Sequence, residues 1–190
     1  MRTRRRRFLR AAGSAVAGLA ASAFGQAIGP ASRRPSPSLE ERLKTLLDER
    51  DRDRAVDEAT IAALASIDDA SERQFNLRET ASRLVTVDQR VGREASGWFS
   101  YDLPVDRSNA VAVVVTYNTS SSRLCQFTVS ADGELLADEF APAREEVRFY
   151  DVHYGVPPGV ATGKTTLTIR FDAGAGSSVP PVFALRTIRA

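Results

Sequence analysis

From about residue 72 to the C-terminus, apolar and polar residues alternate with a period near two, and Gly, Pro, Asn, Asp and Ser punctuate the runs. The segments "FNLRE", "RLVTV", "WFSYDLPV", "AVAVVVTY", "LCQFTVS", "ELLADEF", "VRFYDVHY", "TTLTIRFDA" and "VFALRTIR" are rich in β-branched and aromatic residues and predict nine short strands. In "TTLTIRF", Leu167, Ile169 and Phe171 share one face and Thr166, Thr168 and Arg170 the other. "WFSYDLPV" likewise sets Phe99, Tyr101, Leu103 and Val105 against Trp98, Ser100 and Asp102. "VAVVVTY" is apolar on both faces and predicts a central strand, while Asp132-Gly133 between two strands predicts a tight hairpin of the primed type. Many short strands with frequent turns predict an all-β fold, a sandwich or jelly roll.

The period ahead of this region is helical. Ser38 and Glu41 form a capping-box start, and Leu39, Leu43, Leu46 and Leu47 follow at helical spacing. A helix to about residue 53 and a second from about Asp57 to Ile67 are expected, with the stripe continued by Val56, Ile61 and Leu64 and buried against something. "DERDRDR" mixes both signs and fits a solvated face; its sharper alternative is a short coiled coil through which the chain associates with itself or a partner. "IGPASRRPSPS" reads as an exposed linker. The expected organisation is a signal over residues 1–27, a linker over 28–38, a short helical extension over 39–67 and a β-sandwich over 68–190.

The first ten residues, "MRTRRRRFLR", hold six arginines, and the next seventeen, "AAGSAVAGLAASAFGQA", hold no charge. A charged region followed by a weakly apolar one is the layout of a signal peptide, and "RRRFLR", with Arg5, Arg6, Phe8 and Leu9, fits the twin-arginine pattern. Small-residue cleavage sites follow Ala23 and Ala27. A nucleic-acid-binding arm would need the arginines but not the uncharged stretch behind them. Removing residues 1–27 lowers Lys+Arg from 26 to 20 against 24 acids, so the formal charge moves from +2 to −4. The basic isoelectric point therefore belongs to the precursor, and nucleic acid is not an expected partner. Export by the twin-arginine route predicts a periplasmic or extracellular location. No apolar run reaches the ~18 residues of a membrane span, so none is expected in the mature form.

Catalytic chemistry has little to work with. Cys125 is the only cysteine and His153 the only histidine, which leaves a Ser-His-Asp triad or a two-histidine zinc site little to be built from and excludes a disulfide within the chain. "LCQFTV" suits a small buried hydrophobe better than a nucleophile. Asp151 and His153 share a strand face but need a third group and a pocket before they could move protons. "GVATGKTTL" lacks the glycine spacing of a phosphate loop and leads into a strand rather than a helix. "DAGAGSS" reads as a flexible connection; a structural calcium on such a sandwich would use Asp side chains and loop carbonyls, and no Asp-x-Asp loop with a bidentate glutamate is present to locate one. No metal or cofactor is expected. The sole tryptophan, Trp98, on the polar side of its strand, is either a cover for the sandwich edge or an aromatic platform for a sugar.

"RVGREASGWFSYDLPVD", "VVVTYN" and "VRFYDVHYGVPPGVATGKTTLTIRFDAGAGSSVPPVFALRTIR", with "RQFNLRE" ahead of them, together resemble the C-terminal β-sandwich of glycoside hydrolase family 127, the β-L-arabinofuranosidase-type enzymes. The resemblance implies a galactose-binding-like sandwich. In that family the chemistry lies in a separate helical barrel with a cysteine nucleophile and zinc ligands, and no part of this chain resembles that barrel, so no catalytic role carries over to Cys125. What the resemblance implies is an accessory domain that recognises carbohydrate at loops on one edge, with Trp98, Tyr117, Asp151 and Tyr154 as candidate ligand-binding residues. The expected partner is a glycan or a separate glycoside hydrolase. A docking domain without sugar affinity is the alternative, and an unrecognised hydrolase the second.

Overall fold

The structure is a computed structural model that describes residues 38–65, 67–118, 124–142 and 147–190. The expected signal, with Arg5, Arg6, Phe8 and Leu9, and nearly all of the linker lie outside the described residues. The elements run α1 (Leu39–Ala59), β1 (Thr60–Leu64), α2 (Asp69–Gln74), β2 (Arg78–Val87), β3 (Arg90–Pro104), β4 (Val111–Asn118), β5 (Cys125–Ala131), β6 (Glu134–Ala141), β7 (Phe149–Gly155), α3 (Pro158–Ala161), β8 (Thr166–Ala173) and β9 (Val179–Arg189). All pairings are antiparallel. The main path is β6-β5-β8-β3-β9-β4-β7, with β2 added on β3 and β1 on β9, and the sheet folds over itself into a sandwich.

Alternation decides which side of each strand is buried. Phe99, Tyr101 and Leu103 of β3 meet Leu167, Ile169 and Phe171 of β8 and Val113, Val115 and Tyr117 of β4 in one core. Phe99 stacks on Phe171 at 5.0 Å between centroids. β4 is buried at every position because its outer face is also covered: Ala112 and Val114 pack with Ile188 beneath Val56 and Ala59 at the end of α1. The Asp132-Gly133 hairpin between β5 and β6 forms as expected, both residues having positive φ (48° and 85°). The β2–β3 hairpin turns on Asp88 and Gln89, whose φ values are 45° and 64° without a glycine.

Two elements differ from expectation. α1 is one continuous helix to Ala59, and residues 60–64 form a strand rather than part of a second helix. Thr60 and Ile61 are β-branched, and the end of β9 offers an edge to which Thr60 to Leu64 pair, so long-range pairing overrides the helical propensity of Ala62 and Ala63. The residues of "FNLRE" and "RLVTV" contribute to a single strand, β2. The leucine stripe expected to be buried is solvent-facing: Leu39, Leu43, Leu46 and Leu47 are 42–81% exposed.

The position of the site follows from β3. β2 lines one edge of β3 from Arg90 to Ser100, while the other edge pairs first with β9 (Arg93↔Val182, Ala95↔Val179) and then with β8 (Trp98↔Asp172 to Pro104↔Thr166). Between these stretches Ser96 and Gly97 stand opposite the single residue Ala81, a bulge that bends β3 where the sheet divides. Gly97 is required there because a Cβ would collide with the Thr80 carbonyl oxygen.

Candidate functional site

Where β8 and β9 part, a groove of about 710 Å³ opens. Its β2–β3 side carries Arg83, Val85 and Val87 with Glu94 and Ser96, Cys125 and Ser178 lie at the fork, and Pro180 and Pro181 form an apolar wall. Three connections hold the fork in shape. The Gly174 N–H donates to the Gln126 carbonyl at 2.8 Å, the Gln126 N–H donates to Ser177 Oγ at 2.6 Å, and Cys125 Sγ lies 3.3 Å from Ser178 Oγ. Cys125 is 2% exposed and belongs to the core, as its sequence context predicts.

Arg83 and Glu94 face each other directly across the hairpin. Arg83 Nε donates to Glu94 Oε1 at 2.7 Å, and Nη2 of the same guanidinium lies 2.5 Å from that oxygen. The neighbouring Ser82 is tied to the interior: Arg93 Nη1 donates to Ser82 Oγ at 2.6 Å, and Ser82 Oγ donates to Glu79. Arg93 itself is buried and held by Glu72 of α2, Nε to Oε1 at 2.5 Å and Nη2 to Oε2 at 2.6 Å. Tyr101 Oη adds a bond to Glu72 Oε1 at 2.7 Å. Burial, the largest single influence, would lower the Arg93 pKa, but the bond to Glu72 and the charge interactions with Glu72, Tyr101 and Glu79 together outweigh it, and the guanidinium is held more strongly charged than usual. The groove wall thus rests on a buried ion pair.

Trp98 lies outside the groove lining, half-buried on the outer face of β3. The Arg170 guanidinium covers its ring, and Asp172 grips Arg170 with bonds of 2.7 and 2.5 Å. One row along, Asp102 accepts from Asn76, Arg78 and Thr168, each at 2.6 Å. Burial pushes the Asp102 carboxyl up, yet these bonds prevail and hold its pKa below the ordinary value. Tyr117 and Tyr154 point into the core, their hydroxyls 3.1 Å apart, and burial raises both phenols well above their ordinary range. Asp151 faces the other way and accepts from Thr116 Oγ1 at 2.6 Å. Tyr117 and Tyr154 therefore meet each other, whereas Trp98 and Asp151 stand on separate outer surfaces. The groove residues Arg83, Glu94, Ser178, Pro180 and Pro181 escaped the sequence reading, since β3 and the fork of β8 and β9 bring them together from distant segments.

Lys164 of the "GKTT" stretch pairs with Asp132 at 2.7 Å and leads into β8. Among the described residues no group of three or more His, Cys, Asp or Glu is placed to hold a metal ion, and no helix is long and apolar enough to cross a membrane.

Among solved structures, the fold resembles a family 35 carbohydrate-binding module from Clostridium thermocellum, at a TM-score of 0.45 and 12% identity over 68% of this chain and 99% of that one. It also resembles the carbohydrate-binding module CBM36 in complex with calcium and xylotriose (TM-score 0.43, 8% identity, 67% and 99% covered). A third is the ANX1 ectodomain from Arabidopsis thaliana (TM-score 0.46, 16% identity, 62% and 35% covered). No curated protein matches the chain. The model of a family of unknown function, DUF6805, matches residues 55–188, which is most of the chain and nearly all of the sandwich, and the protein belongs to that family.

Proposed function

We propose that the chain is an exported, non-catalytic sandwich module that recognises carbohydrate in the groove at the fork of β8 and β9. The observation that carries this reading is the lining itself: a charged hydrogen-bonding pair and serine hydroxyls stand opposite an apolar wall of Pro180 and Pro181 in one concave site. Sugars present hydroxyl edges and C–H faces, and a site for them needs both kinds of surface. Export rests on the arginine-rich start with Arg5, Arg6, Phe8 and Leu9, and the accessory-domain role on the resemblance to glycoside hydrolase family 127.

The test is a glycan array probed with the mature chain, a groove-filling Val85→Trp variant and a Trp98→Ala variant. Binding lost in Val85→Trp and kept in Trp98→Ala supports the groove; the reverse pattern moves the site to the Trp98 face. Retention of no glycan by the wild type removes the reading.

A second reading, docking to a separate protein or to another copy, draws on the exposed stripe of Leu39, Leu43, Leu46 and Leu47. Helices in proteins gain most of their stability from packing an apolar face rather than from propensity, so covering these leucines would stabilise α1. Sedimentation of the mature chain beside a Leu43→Glu, Leu46→Glu double variant tests it: a monomer in both discards self-association.

A further inference from the structure

We infer that the groove selects neutral sugars that present two adjacent hydroxyl groups, held by the unused half of the Arg83–Glu94 pair. This rests on the reading that the groove binds carbohydrate. An arginine and a carboxylate facing each other commonly form two parallel hydrogen bonds, one to each oxygen. Here the guanidinium meets only Glu94 Oε1: Nε donates to it at 2.7 Å and Nη2 lies 2.5 Å from it. Among the described residues, Glu94 Oε2 accepts from no protein donor and Arg83 Nη1 donates to no protein acceptor. The pair therefore leaves one charged acceptor and one charged donor without a protein partner, with the glutamate side chain 27% exposed and the arginine 77%.

A hydroxyl both donates and accepts. Two on neighbouring carbons match this arrangement: one donates to Oε2 while the next accepts from Nη1. A single hydroxyl satisfies only half of it, and a sugar lacking one of the two leaves a charged group desolvated without a partner, the situation in which a polar site discriminates most strongly. The pair is neutral as a unit, and the groove lining contains no other Asp, Glu, Lys or Arg. A carboxylated sugar would bring its negative charge against Oε2 with no spare cation to offset it. The C–H face of the ring is left for Pro180, Pro181 and the apolar Val85 and Val87.

The experiment uses the mature chain and measures binding by calorimetry to arabinotriose, xylotriose and mannotriose, with trigalacturonate as the charged comparison. In parallel, a bound polysaccharide is treated with periodate, which cleaves vicinal diols, and re-tested by affinity electrophoresis. Expected results are binding of at least one neutral trisaccharide over trigalacturonate, loss of retention after periodate, and a tenfold or greater weakening in both Glu94→Gln and Arg83→Lys. Melting temperatures of both variants should match the wild type, because the pair lies at the surface. Tighter binding of trigalacturonate, or neutral-sugar binding indifferent to both substitutions, overturns the diol assignment and leaves carbohydrate recognition standing. Failure of the wild type to bind any of these sugars or polysaccharides takes down both.

Discussion

The Arg170 guanidinium lies over the indole of Trp98, 3.8 Å from the ring centroid, while the Asp172 carboxylate holds it from the side with two hydrogen bonds. The strand pairing makes this possible, for Trp98 and Asp172 are direct partners across β3 and β8 and Arg170 is two residues away on the same face. One face of the only tryptophan is thus already occupied by a side chain fixed in place. A sugar stacking on that face would have to displace a cation–π contact and break a charge-assisted pair.

Removing the cation should uncover the ring. Arg170→Gln is expected to shift tryptophan emission to longer wavelength and to cost about 0.5–1 kcal/mol, the scale of a surface cation–π contact. Because the chain has a single tryptophan, the spectrum reports this site alone. An unchanged spectrum in Arg170→Gln would mean that Arg170 does not cover the indole in solution.

The buried pair of Glu72 and Arg93 carries a larger share of stability. Glu72 is 2% exposed and Arg93 5%, so deleting either leaves a charge in the interior. Glu72→Ala should destabilise the domain by about 3–5 kcal/mol in urea unfolding, and Glu72→Gln by less, since the amide oxygen can still accept from Arg93. A loss below about 1 kcal/mol for Glu72→Ala would place the pair in a far wetter environment than its burial indicates.

The inward faces of the strands were legible because a half-buried strand has a period of two: Phe99, Tyr101, Leu103, Leu167, Ile169 and Phe171 are all fully buried. β1 was not legible. Its "TIAAL" offers two alanines and an Ile61-Leu64 spacing that suits a helix, and only the free edge of β9 turns it into a strand. The groove was hidden for a related reason. Arg83 and Glu94 share a face only because Asp88 and Gln89 make a turn without the glycine that usually announces one, and Pro180 joins them only because β3 changes partner at its bulge.

That bulge supplies the next prediction. Gly97→Ala places a Cβ against the Thr80 carbonyl, a backbone atom that cannot swing aside, so β2 and β3 must separate or straighten. The expected cost is about 1–3 kcal/mol, the range for overpacking a well-ordered site. Since Ala81 and Ser96 line the groove, glycan affinity should fall together with the melting temperature. Wild-type affinity and stability in Gly97→Ala would show that the bulge does not shape the site.

Tyr101, Tyr117 and Tyr154 are expected to set the alkaline limit of the fold. Burial comes first among the causes that raise all three, followed for Tyr101 by its bond to Glu72, so each phenol in the folded state stays protonated far beyond the ordinary value near 10. A folded state that keeps a proton the unfolded state gives up is stabilised fully below the unfolded pKa, and it loses that stability as pH rises above about 10. Three of the four tyrosines should therefore remain silent at 295 nm until the chain unfolds, and their absorbance change should coincide with loss of the circular dichroism of the sheet. Tyr101→Phe removes one proton from this linkage and should flatten the fall of stability with pH above 10. Smooth titration of all four tyrosines ahead of unfolding would show that their hydroxyls reach solvent in the native state.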